Sequence, residues 1–160
     1  MSSATTILVD LQLATTATGL PSEADFQQWC ATALEAGDYQ GTAEITVRLV
    51  DAEESRTLNH EYRDKDKPTN VLYFPSDLPD FLRDQLEQDP LGDLVICVPV
   101  MAEEAAEQSK APRDHWAHLT IHGTLHLLGF DHIEEADAVE MESREIAALA
   151  TLGIANPYDE

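Results

Sequence analysis

The stretch HGTLHLLGFDH, residues 122–132, holds three histidines whose spacing suits one divalent cation. His122 and His126 are four residues apart, so on a helix they stand one above the other on the same face, close enough to share an ion. Gly129 follows within a turn. A glycine just past a helix can take the left-handed conformation that reverses the chain, and the short step to His132 then returns a third imidazole toward the pair. Three nitrogen ligands leave one tetrahedral position open, the arrangement of a catalytic zinc site rather than a structural one. A histidine pair at this spacing is by itself more often a packed edge or a solvated face; the third histidine in register tips the balance to metal. One Zn2+ per chain on His122, His126 and His132 is therefore expected.

The same window lacks a group that zinc peptidases need. In HExxHxxGxxH enzymes a glutamate after the first histidine takes a proton from the attacking water, and here that position is Gly123. Loss of such a base costs about two to four orders of magnitude in rate. Zincin spacing without the zincin base points to another hydrolysis, and phosphodiester cleavage is the natural one: a Lewis acid and a nearby cation can carry the charge that builds on phosphate oxygens. His118 and His115 lie four and seven residues before His122 on the same helical face, where they can act as ligands or as supports, with support the expected role. Asp131 is placed either to orient an imidazole or simply in an exposed turn.

The elements that must position these groups follow from periodicity. Residues 5–13 alternate as a strand, Ser22–Leu34 reads as a helix opened by Pro21 and Ser22, and residues 43–50 form a second strand. Asp51 with Glu54 predicts a capping box for a helix reaching about Tyr62. Pro68 stops any helix, NVLYF (70–74) makes a third strand, and the acidic, proline-containing residues 76–90 form a surface excursion with a helical turn or two. LGDLVICVP (91–99) is the clearest strand. A helix follows in MAEEAAEQSK, then one over about Pro112–Leu128 that carries the histidines, then a last one over about Glu134–Leu152. Trp116, Leu119, Ile121, Leu125 and Leu127 surround the histidine helix with apolar groups, which predicts a central, buried element. Together these features give one α+β domain over residues 1–160 with a small mixed sheet.

Composition agrees with a soluble globular chain of 160 residues, 43% hydrophobic and 25% charged. No apolar run is long enough to span a bilayer, and MSSATTILVD lacks the basic start of a secretory signal, so a cytoplasmic location is expected. Cys30 and Cys97 stand alone in apolar surroundings, the pattern of reduced, buried thiols. A net charge of −22 weighs against affinity for nucleic acid. Distribution matters more: four of the nine basic residues fall between Arg56 and Lys67, the chain's one local concentration of positive charge, though Glu61, Asp64 and Asp66 dilute it.

These residues resemble a known family. LNHEYRDKDKPTNVLYFP, then LGDLVICV, then HLTIHGTLHLLGFDH are similar, in unbroken order over about Glu44–Glu145, to the YbeY endoribonucleases. The resemblance implies a zincin-like α+β fold, zinc on His122, His126 and His132, and a role for Arg63 in handling RNA phosphate. Lys65 matches the family pattern as a secondary substrate contact or as loop structure, as do Pro68, Thr69 and Asn70. The resemblance also implies processing of the 3′ end of small-subunit (16S) rRNA and ribosome quality control, with ribosomal subunits and assembly proteins as partners. Tyr73 departs from the family, which has serine there, so no catalytic hydroxyl is carried over to it. Under this scheme zinc would draw the pKa of a coordinated water toward ~7, and Arg63 would pair two phosphate oxygens as charge develops. The bland alternative for Arg63 is a salt bridge to Asp93 or Glu61. Two rival functions remain in view: a zinc peptidase using Asp131 or a distant carboxylate as its base, and a non-catalytic ribosome-assembly module whose acidic surface meets basic ribosomal proteins.

Overall fold

Alternation of apolar and polar residues in TILVDLQLA and TAEITVRLV produces strands β1 (Thr6–Ala14) and β2 (Thr42–Val50). They belong to a computed structural model that describes residues 6–76, 78–83, 85–130 and 134–158. Between them runs α1 (Glu23–Ala36), whose start is fixed by a reciprocal cap: the Ser22 hydroxyl accepts from Asp25 N–H, and the Asp25 carboxylate accepts from Ser22 N–H. The chain continues through α2 (Ala52–Arg63), β3 (Val71–Pro75), the single turn α3 (Asp80–Arg83) and β4 (Asp89–Cys97). Three helices complete it, α4 (Val98–Glu107), α5 (Pro112–Leu127) and α6 (Glu135–Thr151).

The sheet is mixed, in the order β1-β2-β4-β3. β2 runs parallel to β1 and to β4, and β3 returns antiparallel along the β4 edge. Side-chain alternation divides the apolar residues between two faces. Ile45, Val47, Leu49, Leu94 and Ile96 face the larger core, where they meet Phe26 and Trp29 of α1, Ile121 and Leu125 of α5, and Met141 and Leu149 of α6. Val50, Leu72, Val95 and Cys97 face the other way, into a smaller core beside Leu58 of α2. As expected, α5 is central: residues on every side of it, from His115 and Trp116 to Leu127, are buried.

Two local expectations give way to tertiary contacts. Asp51 does occupy the cap position of α2, but it makes no bond to the first turn; it accepts from the Thr15 hydroxyl at 2.5 Å instead. Its expected partner Glu54 turns to Arg48, which it meets at 2.6 and 3.1 Å through two guanidinium nitrogens. A two-point charged pair outcompetes a single carboxylate-to-backbone bond. The β4 strand ends at Cys97 rather than Pro99, because Pro99 sits in the first turn of α4, where its missing N–H costs nothing. Cys30 and Cys97 are free and buried, and desolvation pushes the Cys30 thiol up to about 12, so it stays protonated and inert. Among the described residues, the excursion after β3 contains the turn α3 and leaves Leu78, Phe81, Leu82 and Leu86 exposed. Among the described residues no helix is long and apolar enough to cross a membrane.

Candidate metal centre

Helix α5 starts at Pro112 and ends at Leu127, and Gly129 beyond it has φ +103°, the positive value that lets the chain turn away. Two of the three expected ligands sit on its last turns. His122 Nε2 and His126 Nε2 lie 3.2 Å apart. Two imidazole nitrogens bound to one tetrahedral zinc, each about 2.0–2.1 Å from it, are separated by about 3.3–3.4 Å, so this pair already has the spacing of shared ligands. His132 and Asp131 fall outside the described residues.

Each imidazole is held from behind. His122 Nδ1–H donates to Glu145 Oε1 at 2.5 Å, which fixes the proton on Nδ1 and leaves the lone pair on Nε2, the nitrogen facing His126. Glu145 is 0% exposed, and its second oxygen accepts from the Tyr158 hydroxyl. Burial is the largest influence on this carboxyl and pushes its pKa up. The hydrogen bonds from His122 and the Tyr158 hydroxyl, with the electrostatic attraction of the two imidazoles His122 and His118, outweigh it, so Glu145 lies below the ordinary carboxylate value and is ionised at neutral pH. The His126 ring is stacked on Tyr73 of β3, with centroids 4.2 Å apart and planes 4° from parallel. Tyr73 thus serves as a flat backing for an imidazole.

His118 comes next along the same face, with Nε2 3.8 Å from Glu145 Oε1. Desolvation lowers its pKa to about 4, so it is neutral and able to coordinate at pH 7. His118, His122 and Glu145 present ligand atoms all within 4.8 Å of one another, a group that could hold a metal ion. This grouping and the His122–His126 pair compete for His122. The 2.5 Å contact between Nδ1 and the carboxylate is short for two ligands of one ion and normal for a strong charge-assisted hydrogen bond, whereas the 3.2 Å nitrogen pair fits co-ligation. The geometry therefore favours Nε2 as the ligating atom, with Glu145 behind it. His115 is further removed: its Nε2 bonds Glu104 of α4 at 2.9 Å.

Gly123 faces the sheet. A Cβ built there would lie 2.8 Å from Leu94 Cδ2 and 3.5 Å from Val71 Cγ2, so the residue is glycine because α5 packs directly on β4 and β3. A side chain at the position that holds the base in zinc peptidases would enter the core, against Leu94 and Val71.

The basic segment is built by α2 and the loop after it. Asp64 takes a left-handed conformation, φ +57°, and ends the helix just past Arg63. Buried Ser55 and Asn59 then strap the loop to α2: the Ser55 hydroxyl bonds both the N–H and the carbonyl of Thr69 at 3.0 Å, and the Asn59 amide donates to Lys67 O at 2.8 Å. Arg56 neutralises Asp66 through contacts of 2.7 and 3.1 Å. Asn70 closes the loop by donating to Glu104, the carboxylate that also holds His115. Arg63, Lys65 and Lys67 are left exposed, and among the described residues none of them has an ion pair. The salt bridges weighed for Arg63, to Asp93 or Glu61, do not form. Arg48, Arg56, Arg113 and Arg144 are all engaged with carboxylates.

Of the residues expected from sequence to act together, the structure unites His122 and His126. Arg63 and Lys65 do not touch them. Tyr62, next to Arg63, packs edge-on against Phe74 with centroids 5.1 Å apart, while its neighbour Tyr73 backs His126 from the opposite face of β3. Tyr62 of α2 and His126 of α5 thus pack on opposite faces of the edge strand β3. Sequence reasoning missed Glu145 and Tyr158. A signal for Glu145 exists: it shares the α6 stripe of Met141, Ala148 and Leu149, where a lone carboxylate on an apolar face demands a polar partner.

A family model described as Endoribonuclease YbeY matches residues 13–153 of this chain. A protein of Colwellia psychrerythraea named Endoribonuclease YbeY is 55% identical over 155 residues, 96% of this chain and 97% of that protein. One of the same name from Stutzerimonas stutzeri is 55% identical over 154 residues, covering 96% and 92%. A solution structure from Thermotoga maritima superposes with a TM-score of 0.55 at 21% identity, across 96% of this chain and 97% of that one, which shows a shared fold.

Proposed function

Because this chain belongs to the Endoribonuclease YbeY family, we propose that residues 1–160 form one zincin-like, metal-dependent hydrolase domain that cleaves phosphodiester bonds in single-stranded RNA. The observation that carries the proposal is the 3.2 Å Nε2 pair of His122 and His126, braced by Glu145 on one ring and Tyr73 on the other. The His122–His126 pair has the spacing of two ligands of one zinc ion, and we assign His132 as the third, with a fourth position left for solvent. When bound, zinc supplies a Lewis acid for the attacking oxygen and for a phosphate oxygen.

The remaining steps belong to the chain's own groups. Glu145 keeps the His122 proton on Nδ1, so that Nε2 stays a lone-pair donor. Tyr73 fixes the plane of His126. Arg63 binds the phosphate by two N–H donors and gains strength as negative charge builds in the transition state, and Lys65 holds a neighbouring phosphate as a point charge. An RNA strand crossing the β3 edge meets the cations on one side and the imidazoles on the other. The expected substrate is the 3′ end of small-subunit rRNA, in ribosome maturation and quality control in the cytoplasm, with ribosomal subunits and assembly proteins as partners. A peptidase is disfavoured by Gly123, which supplies no base where zinc peptidases carry one and has Leu94 packed in the space a side chain would need.

Arg63→Ala tests this directly. It is expected to lower kcat/KM on a single-stranded RNA by about 100-fold or more, the cost of losing one preorganised charge-stabilising group, with zinc content and melting temperature at parental levels. Chelation should abolish cleavage in the parental protein, and zinc should restore it. Parental cleavage by Arg63→Ala would remove Arg63 from the mechanism, and cleavage that survives full metal removal would remove the metal.

A further inference from the structure

We infer that Tyr158, in the C-terminal tail, is a positioning residue for the metal centre, acting on His122 through Glu145. The inference deepens the metal-centre reading above and rests on it.

The argument starts from the Glu145 carboxylate. It is fully sealed from solvent, so each oxygen must find its hydrogen bonds within the protein, and an orphaned lone pair there costs much more than at a surface. Oε1 accepts from His122 Nδ1 and Oε2 from the Tyr158 hydroxyl. The carboxylate is thus held at both ends: one oxygen aims the imidazole, and the other anchors the group that does the aiming. With Oε2 unpaired, the carboxylate is free to rotate about its last bond or to share Oε1 with His118 Nε2, already 3.8 Å away, and either change weakens its hold on His122.

The tail is arranged to deliver the hydroxyl. It leaves α6 after Thr151, and at its end the Asn156 side chain accepts from Tyr158 N–H at 2.8 Å, a turn that folds the tyrosine back toward the helix. The Tyr158 ring meets His118 edge to face, with centroids 5.8 Å apart at 90°. Tyr158 is 44% exposed as a residue, but its hydroxyl end is desolvated against the sealed carboxylate; that desolvation, followed by the hydrogen bond and charge of Glu145, drives its phenol pKa upward, so it remains a donor throughout the working range. A tyrosine 32 residues beyond the last expected ligand on α5, at position 158 against 126, thereby becomes part of the same assembly.

Tyr158→Phe removes the hydroxyl and keeps the ring. Zinc affinity of the full-length protein, measured by competition with a chromophoric chelator, is expected to weaken about 10- to 100-fold, the usual effect of removing a group that orients a ligand. The visible spectrum of the cobalt-substituted protein should shift, and in the metal-free protein nitrogen NMR should show His122 losing its single Nδ1–H tautomer. Glu145→Gln should weaken zinc binding at least as much, and adding Tyr158→Phe to it should cost little more, because both act through one carboxylate. Parental affinity, spectrum and tautomer in Tyr158→Phe overturn the inference. So does an undiminished extra loss in the Glu145→Gln background, which would place the hydroxyl's action elsewhere. If the parental protein itself takes up no stoichiometric zinc, the metal-centre reading fails, and this one falls with it.

Discussion

At Gly123 the chain has no side chain because Leu94 of β4 occupies the space, 2.8 Å from where a Cβ would stand. Restoring the residue that zinc peptidases carry, Gly123→Glu, therefore forces a side chain into the apolar interface with Leu94 and Val71. It should destabilise the protein by about 1–3 kcal/mol or more through overpacking, with a buried, unpaired charge adding to the loss. The expected readout is a lower urea midpoint with no peptide hydrolysis gained. A variant with parental stability that cleaves peptides would show that the position faces the metal after all. From sequence alone, Gly123 was visible only as a missing base. Its structural reason, direct packing of helix on sheet, required knowing which way it points. Glu145 shows the converse: an acid on the apolar stripe of α6, which calls for a polar partner without naming one, becomes, once α6 lies against α5, the group that sets the His122 tautomer.

The elements are joined by polar contacts that local patterns predict unevenly. The Ser22–Asp25 box at α1 forms, and Asp25 reaches beyond it to Arg113 in the first turn of α5 at 2.9 Å, tying together two helices of the main core. The hydrogen bond from Arg113, then that from Ser22 N–H, lower the Asp25 pKa to about 2. A carboxyl with a depressed folded pKa adds stability that is present in full above its unfolded value, 3.8, and is lost as pH falls from there toward about 2. Asp25→Asn should accordingly unfold at lower urea than the parental protein at pH 7, and the gap should close as the pH approaches 2. Both proteins are best compared in chelator, so that metal loss does not enter. A gap that stays constant with pH would mean that Asp25 contributes through neutral hydrogen bonds alone. The cap predicted at α2 failed for a reason of the same kind: Thr15 and Arg48, distant in sequence, offered Asp51 and Glu54 better partners than the helix end did.

For the molecule as a whole, a net charge of −22 opposes RNA, so binding must rely on the few cations that the fold leaves unpaired. If Arg63, Lys65 and Lys67 each contact one phosphate, the logarithm of RNA affinity should fall with the logarithm of salt concentration with a slope of about −2, at ~0.7 per contact for single strands. Arg63→Ala should make that slope shallower by about 0.7. A slope unchanged by the substitution would mean that Arg63 touches no phosphate. The spacing of His122 and His126, the apolar girth of α5, the mixed sheet and the basic cluster were all legible in the linear chain, because each arises from residues near one another and from the repeat of a helix or a strand. The carboxylate and tyrosine behind His122, the aromatic plate behind His126, the direction of Gly123 and the release of Arg63 from its neighbouring acids were decided only by tertiary structure. Those features depend on which faces of α5, α6 and β3 meet, and packing across the core sets that; periodicity can mark Glu145 as needing a partner but cannot say which one.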